Sequence, residues 1–171
     1  TAQALKLCPT LQLLPGRMAL YREVSKQVMA ILQEYALVIE QVSVDEAYLE
    51  IDPHLNAEHI GETIRHRIAQ EVGITVSAGV APNKFLAKTA SDMKKPMGIT
   101  ILRKRDVPTI LWPKSTSEMH GIGKKTAEKL ETIGIKTIGD LANANELQLK
   151  SLLGINGIRL KEKANGIHHS P

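Results

Sequence analysis

Apolar positions recur along this chain with two periods, and the switches between them predict its elements. From Ala19 to Tyr35, Leu20, Val24, Val28, Ile31 and Tyr35 repeat at helical spacing with Arg22, Lys26 and Gln33 on other faces, which predicts an amphipathic helix. Leu37 to Val44 and Ala47 to Ile51 alternate every second residue, as half-buried strands do, and Pro53 closes this hairpin. Asn56 is placed to cap a second helix running to about Glu71, with Ile60, Ile64 and Ile68 as its stripe and Gly73 at its end. Ile74 to Val80 is strand-like, Pro82-Asn83 leads into a third helix ending near Lys94, and Gly98 to Leu102 reads as a final short strand. That order predicts an α+β unit, a split ferredoxin-like antiparallel sheet with helices on one face. After Arg103-Lys104-Arg105 only short helical segments follow, which predicts a small all-α unit. Trp112 reads as a packing anchor between the two units. Before Ala19 the chain holds a short helix-like segment around Ala4 to Leu7, then breaks at Cys8-Pro9 and Pro15-Gly16.

Asp45 and Glu46 fall where the two strand patterns meet. Neighbouring residues of a regular strand point to opposite faces, so both carboxylates can serve one site only if the chain turns or bulges there. Two readings stand at this point: a solvated acidic turn, or a site for divalent cations, whose preference is for carboxylate oxygen. In the third helix Lys84, Lys88, Ser91 and Lys95 share one stripe, while Leu86, Ala90 and Met93 lie opposite. Such a stripe is either the wet face of an amphipathic helix or a row of ammonium groups aimed at phosphates.

Composition narrows the classes. Of 171 residues 43% are hydrophobic and 23% charged, as in a soluble globular protein. Cys8 is the only cysteine, which excludes an internal disulfide or a multi-cysteine zinc site and suits a reducing, cytoplasmic setting. No apolar run approaches the roughly 20 residues that span a bilayer, so no membrane role is expected. The five aromatic residues are too few for base stacking to be the main device. Charge is uneven: residues 1–102 hold 10 Lys plus Arg against 11 Asp plus Glu, and residues 103–171 hold 12 against 7. A basic C-terminal unit is the footprint of a surface that rests on a polyanion, or simply a solvated face.

Met119 to Leu130, continued by Ile133 to Leu141, carries a second chemistry. Gly121 and Gly123 let the backbone turn sharply and approach another backbone, and the following helix offers free N–H groups and a positive dipole end. Ile122 would pack the turn, leaving Lys124 and Lys125 to add charge. This segment resembles the helix-hairpin-helix motif, which grips duplex DNA through the main chain. Gly154 to Gly157 reads as a weaker second copy or as plain helix caps.

Together VSVDEAYLEI, ITVSAGVAPNKFLAKTASDMKKPMGI and MHGIGKKTAEKLETIGIKTIGDL, in this order, resemble a Y-family translesion DNA polymerase of the bacterial DNA polymerase IV type. The resemblance implies that residues 1–18 end the fingers, 19–102 belong to the palm and 103–171 form the thumb. It implies catalytic, metal-binding roles for Asp45 and Glu46 with two Mg²⁺ ions, and a triphosphate contact for Lys95, with Lys84 and Lys88 nearby on the stripe. Primer-template DNA, deoxynucleoside triphosphates and a sliding clamp are the implied partners. The family's first strand, with its metal-binding Asp, has no counterpart after Thr1, so an inactive chain is expected, with a sheet edge open to self-association. Met97 also stands where the family commonly has Asn. A non-catalytic helix-hairpin-helix DNA-binding module is the competing reading, and a nucleotide cyclase is disfavoured because it leaves the hairpin lysines without a role.

Overall fold

A computed structural model describes residues 1–170. α1 (Ala2–Leu7) and the stretch after it lie exposed. α2 (Met18–Gln33) is the expected amphipathic helix and buries Val28, Ile31 and Leu32. β1 (Val38–Gln41) and β2 (Ala47–Glu50) pair antiparallel with Ile39 opposite Leu49. α3 (Ala57–Arg67) starts at Asn56, whose side chain accepts from the His59 N–H at 3.1 Å. It widens into a π-type turn over Ile68–Val72 and stops at Gly73, where φ is 77°. These elements close on a small core of Val28, Ile31, Leu32, Ile64 and Ile68.

β3 (Ala78–Val80) and β4 (Ile99–Ile101) pair in parallel, joined by α4 (Lys84–Met93), because parallel neighbours need a crossover and the helix supplies it. The α+β class therefore holds, but the sheet is in two pieces among the described residues: an antiparallel pair and a parallel pair with no ladder between them. Gly79 marks where α4 crosses β3, since a Cβ there would collide with the backbone of Ala87 and Ser91. The Asn83 side chain caps α4 by accepting from the Leu86 N–H at 2.9 Å.

Beyond Arg103 the chain forms short turns at Lys104–Asp106, Val107–Leu111 and Thr116–Glu118, followed by α5 (Lys124–Glu131), α6 (Ile138–Ala142), α7 (Glu146–Leu153) and α8 (Ile155–Ala164). Its core is not its own. Phe85, Leu86 and Ala90 from α4, with Leu102, are buried in one cluster with Val107, Leu111, Leu130, Leu141, Leu149 and Leu160. Asn83 adds a polar tie across the same seam, its Nδ2 donating to the Gly166 carbonyl at 2.9 Å. Trp112, expected as an anchor between the units, packs against the core that both share. Its indole N–H donates to the Ala164 carbonyl at 3.0 Å and its side chain packs on Gly139, so it binds α8 and α6 together inside the helical unit. The underside of α4 anchors the two units, because its apolar stripe is buried in the core they share.

Candidate functional site

The turn required at Asp45 and Glu46 is present. β1 ends at Gln41, and the N–H groups of Val42 and Ser43 both donate to the Glu46 carbonyl, at 2.9 and 3.2 Å, two residues against one as in a bulge. Asp45 is exposed in this bend, and its carboxylate accepts from the Ser43 hydroxyl at 2.6 Å. Glu46 is half-buried and ion-paired to Lys88 on α4. The Lys88 ammonium offsets part of the Glu46 charge, and the fit of the pair to a divalent cation rests on its hard oxygen donors. Among the described residues no cluster of three His, Cys, Asp or Glu has metal-holding geometry. An ion here would draw on Asp45, Glu46 and further oxygen donors.

The lysines expected on one helical stripe are engaged by carboxylates, although α4 ends at Met93 and leaves Lys95 in the turn beyond it. Lys84 pairs with Glu40 of β1 at 2.6 Å, and its ammonium lies 5.8 Å from the Tyr48 ring centroid. Lys88 contacts Glu46 and reaches Asp92 at 3.5 Å, while exposed Lys95 pairs with Asp92 at 2.7 Å. The hydrogen bond to Glu46, more than the Asp92 charge, holds Lys88 above its ordinary pKa. Burial alone would raise the Asp92 carboxyl, but the Lys95 hydrogen bond and the two lysine charges outweigh it and hold Asp92 below its usual range. Asp92, which the sequence reading did not single out, is therefore the hinge of this network. Its spacing from Lys88 (i+4) and Lys95 (i−3) was the available signal.

After Lys95 the chain turns through Met97 at φ 57°, a left-handed conformation that side chains other than Gly and Asn adopt at a cost. Arg65 of α3 holds the turn by donating to the Met97 carbonyl. The Met97 side chain is 49% exposed and gives little packing in return. Met97→Asn is expected to stabilise the chain by roughly 0.5–1 kcal/mol. A denaturant midpoint that stays put or falls would remove backbone strain as the explanation.

In the helical unit, Gly121 turns the chain at φ 94°, Ile122 is buried, and Gly123 starts α5. The first main-chain bonds of α5 are donated by Thr126 and Ala127 to Gly123, which leaves the N–H groups of Lys124 and Lys125 at the helix start without intrahelical acceptors. Both lysine side chains are exposed. This turn can receive an oxyanion on its backbone with cations on either side. The second glycine pair divides. Gly154, at φ 65°, is exposed between α7 and α8, whereas Gly157 is buried in α8 against the Leu149 carbonyl. Gly157 is a packing residue, because the backbone that would meet phosphate is covered by α7.

A carboxylate-bearing hairpin set against a lysine-lined helix, sharing a core with an exposed glycine turn at a helix start, defines a protein whose polar surfaces suit phosphate. The chain belongs to the impB/mucB/samB family, whose model matches residues 1–92, and the IMS family HHH motif matches residues 104–135. It is 57% identical to DNA polymerase IV of Bacillus velezensis over 97% of its length, and 56% identical to DNA polymerase IV 1 of Bacillus subtilis over 99%. It covers 41% and 42% of those relatives, so it spans about two fifths of their length. Among solved structures, DinB from Sulfolobus solfataricus superposes with a TM-score of 0.88 at 31% identity, covering 99% of this chain and 52% of that one. An insertion ternary complex of Dbh DNA polymerase gives 0.86 at 32% identity, covering 99% and 51%.

Proposed function

We propose that this chain carries the catalytic carboxylates and the duplex grip of a template-directed translesion DNA polymerase, with residues 19–102 as palm and 103–171 as thumb. The observation that carries the reading is that α4 is ion-paired through Lys88 to the Asp45-Glu46 turn and, on its apolar side, shares a core with Ile122 of the Gly121–Gly123 turn. Asp45 and Glu46 hold divalent cations, Mg²⁺ by preference, which when bound activate a primer 3′-hydroxyl and neutralise the departing pyrophosphate. Lys88 holds the Glu46 side chain against α4. Lys95, exposed and paired with its near neighbour Asp92, exchanges that partner for the triphosphate of the incoming nucleotide. Lys84 is set further from this exchange by its pairing with Glu40.

The thumb half can be tested on this chain directly. The N–H groups of Gly121, Gly123, Lys124 and Lys125, with the two lysine side chains, contact duplex phosphates without reading bases, while the Ile122 N–H stays on the Met119 carbonyl at 3.0 Å. Duplex affinity is expected to fall linearly in a log-log plot against salt, with a slope of about −0.9 per phosphate neutralised. Gly121→Ala, strained at φ 94°, is expected to weaken binding equally for unrelated sequences. A salt-independent affinity, or a preference for one sequence, would sink this mode of binding.

A further inference from the structure

A cavity of about 190 Å³ opens at the seam between the two units. Lys163 of α8, His120 beside the Gly121 turn, and His168 after α8 line one side, and Phe85, Lys84 and Glu40 line the other. The second side is balanced in charge, since Lys84 pairs with Glu40 at 2.6 Å. The first is not. Among the described residues Lys163 has no ion-pair partner; its ammonium lies 5.8 Å from the Phe85 ring centroid, and a Cβ built on Gly121 would sit 3.9 Å from it. The His168 ring packs on Phe85 at 6.5 Å between centroids, and its buried Nδ1 has no hydrogen-bond partner among the described residues. Burial, and then the charges of Lys163, Lys84 and His169, hold the His168 imidazole below its ordinary pKa.

Three nitrogen-bearing side chains with no ion-pair partner among the described residues thus line one side of a small cavity beside the glycine turn. Its volume is below the roughly 300–1,000 Å³ of small-molecule pockets, so it suits one compact anionic group rather than a nucleotide. We propose that this cavity seats a backbone phosphate of the bound duplex, next to the one gripped by the Gly121–Gly123 turn, with Lys163 as its fixed cation and His120 and His168 as protonatable donors. The proposal rests on the reading of that turn as a duplex grip and extends it across the seam to α4. A phosphate opposite His168 offsets the repulsion from Lys163, Lys84 and His169 and raises the imidazole pKa in the complex. The complex then binds more protons than the free protein, and affinity rises as the pH falls.

The test is duplex binding by the whole chain across about 50–200 mM salt, for wild type, Lys163→Met and Lys163→Arg. Lys163→Met is expected to lose about tenfold in affinity near 0.1 M salt and to flatten the slope by about 0.9, one phosphate, while Lys163→Arg keeps the slope. Between about pH 7.5 and 5.5, spanning the ordinary histidine pKa, wild-type affinity is expected to rise and that of His168→Gln to rise less. A steep wild-type slope that Lys163→Met leaves unchanged overturns the proposal and spares the glycine turn. A flat wild-type slope overturns the duplex grip and the proposal with it. Inorganic phosphate titrated against the histidine ring signals separates the sources: saturation that added duplex does not displace would make this a free-anion site and overturn the proposal.

Discussion

Glu46→Gln, in a full-length polymerase that carries this stretch, is expected to lower nucleotide incorporation about a thousandfold, some 4 kcal/mol of transition-state stabilisation. The variant removes a charge and leaves the shape. Glutamine keeps a carbonyl oxygen that can accept from Lys88, so the contact joining the turn before β2 to α4 survives. What is lost is half of the paired negative charge available to divalent cations at the turn. Primer extension under saturating Mg²⁺ and nucleotide measures the effect, and an unchanged thermal midpoint shows that folding is not the cause. Activity within tenfold of wild type would remove Glu46 from the metal site and leave its ion pair with Lys88 as a structural contact.

Leu86→Ala is expected to destabilise this chain by roughly 3–5 kcal/mol, the range for a fully buried leucine whose cavity cannot collapse. The informative part is where the loss registers. Leu86 belongs to α4, in the α+β unit, yet it is buried with Val107, Leu111 and Leu130 of the helical unit. Trp112 fluorescence reports on the packing of the helical unit, since the indole bonds to Ala164 and packs on Gly139. Trp112 fluorescence and far-ultraviolet dichroism are expected to shift together in denaturant, by the same amount. A Trp112 transition that stays at the wild-type midpoint would mean that the seam carries little energy and that the units unfold independently.

Much of the architecture was legible because it is local. Asn56 and Asn83 cap their helices through side-chain bonds three residues long, and the stripes of α2 and α4 bury Val28, Ile31, Leu86 and Ala90, while Leu20 at the start of the α2 stripe stays exposed. The strands were legible in place but not in extent. Val42 and Val44 continue the alternation, yet both are exposed, because pairing stops where the partner turns away at Asp45. The direction of β3 against β4 depended on the crossover through α4, a choice that alternation does not encode.

By itself the sequence determined the carboxylate pair at a required turn, the cationic stripe of α4 and the glycine turn at a helix start, since each depends on residues within a few positions of one another. Only the tertiary structure decided what those groups touch. Lys84 meets Glu40 and Lys88 meets Glu46 across more than forty residues, and Lys163 reaches Gly121 across about as many. It also decided that the underside of α4 is buried in the core that both units share, because a buried stripe facing two neighbours is a property of packing and has no period of its own.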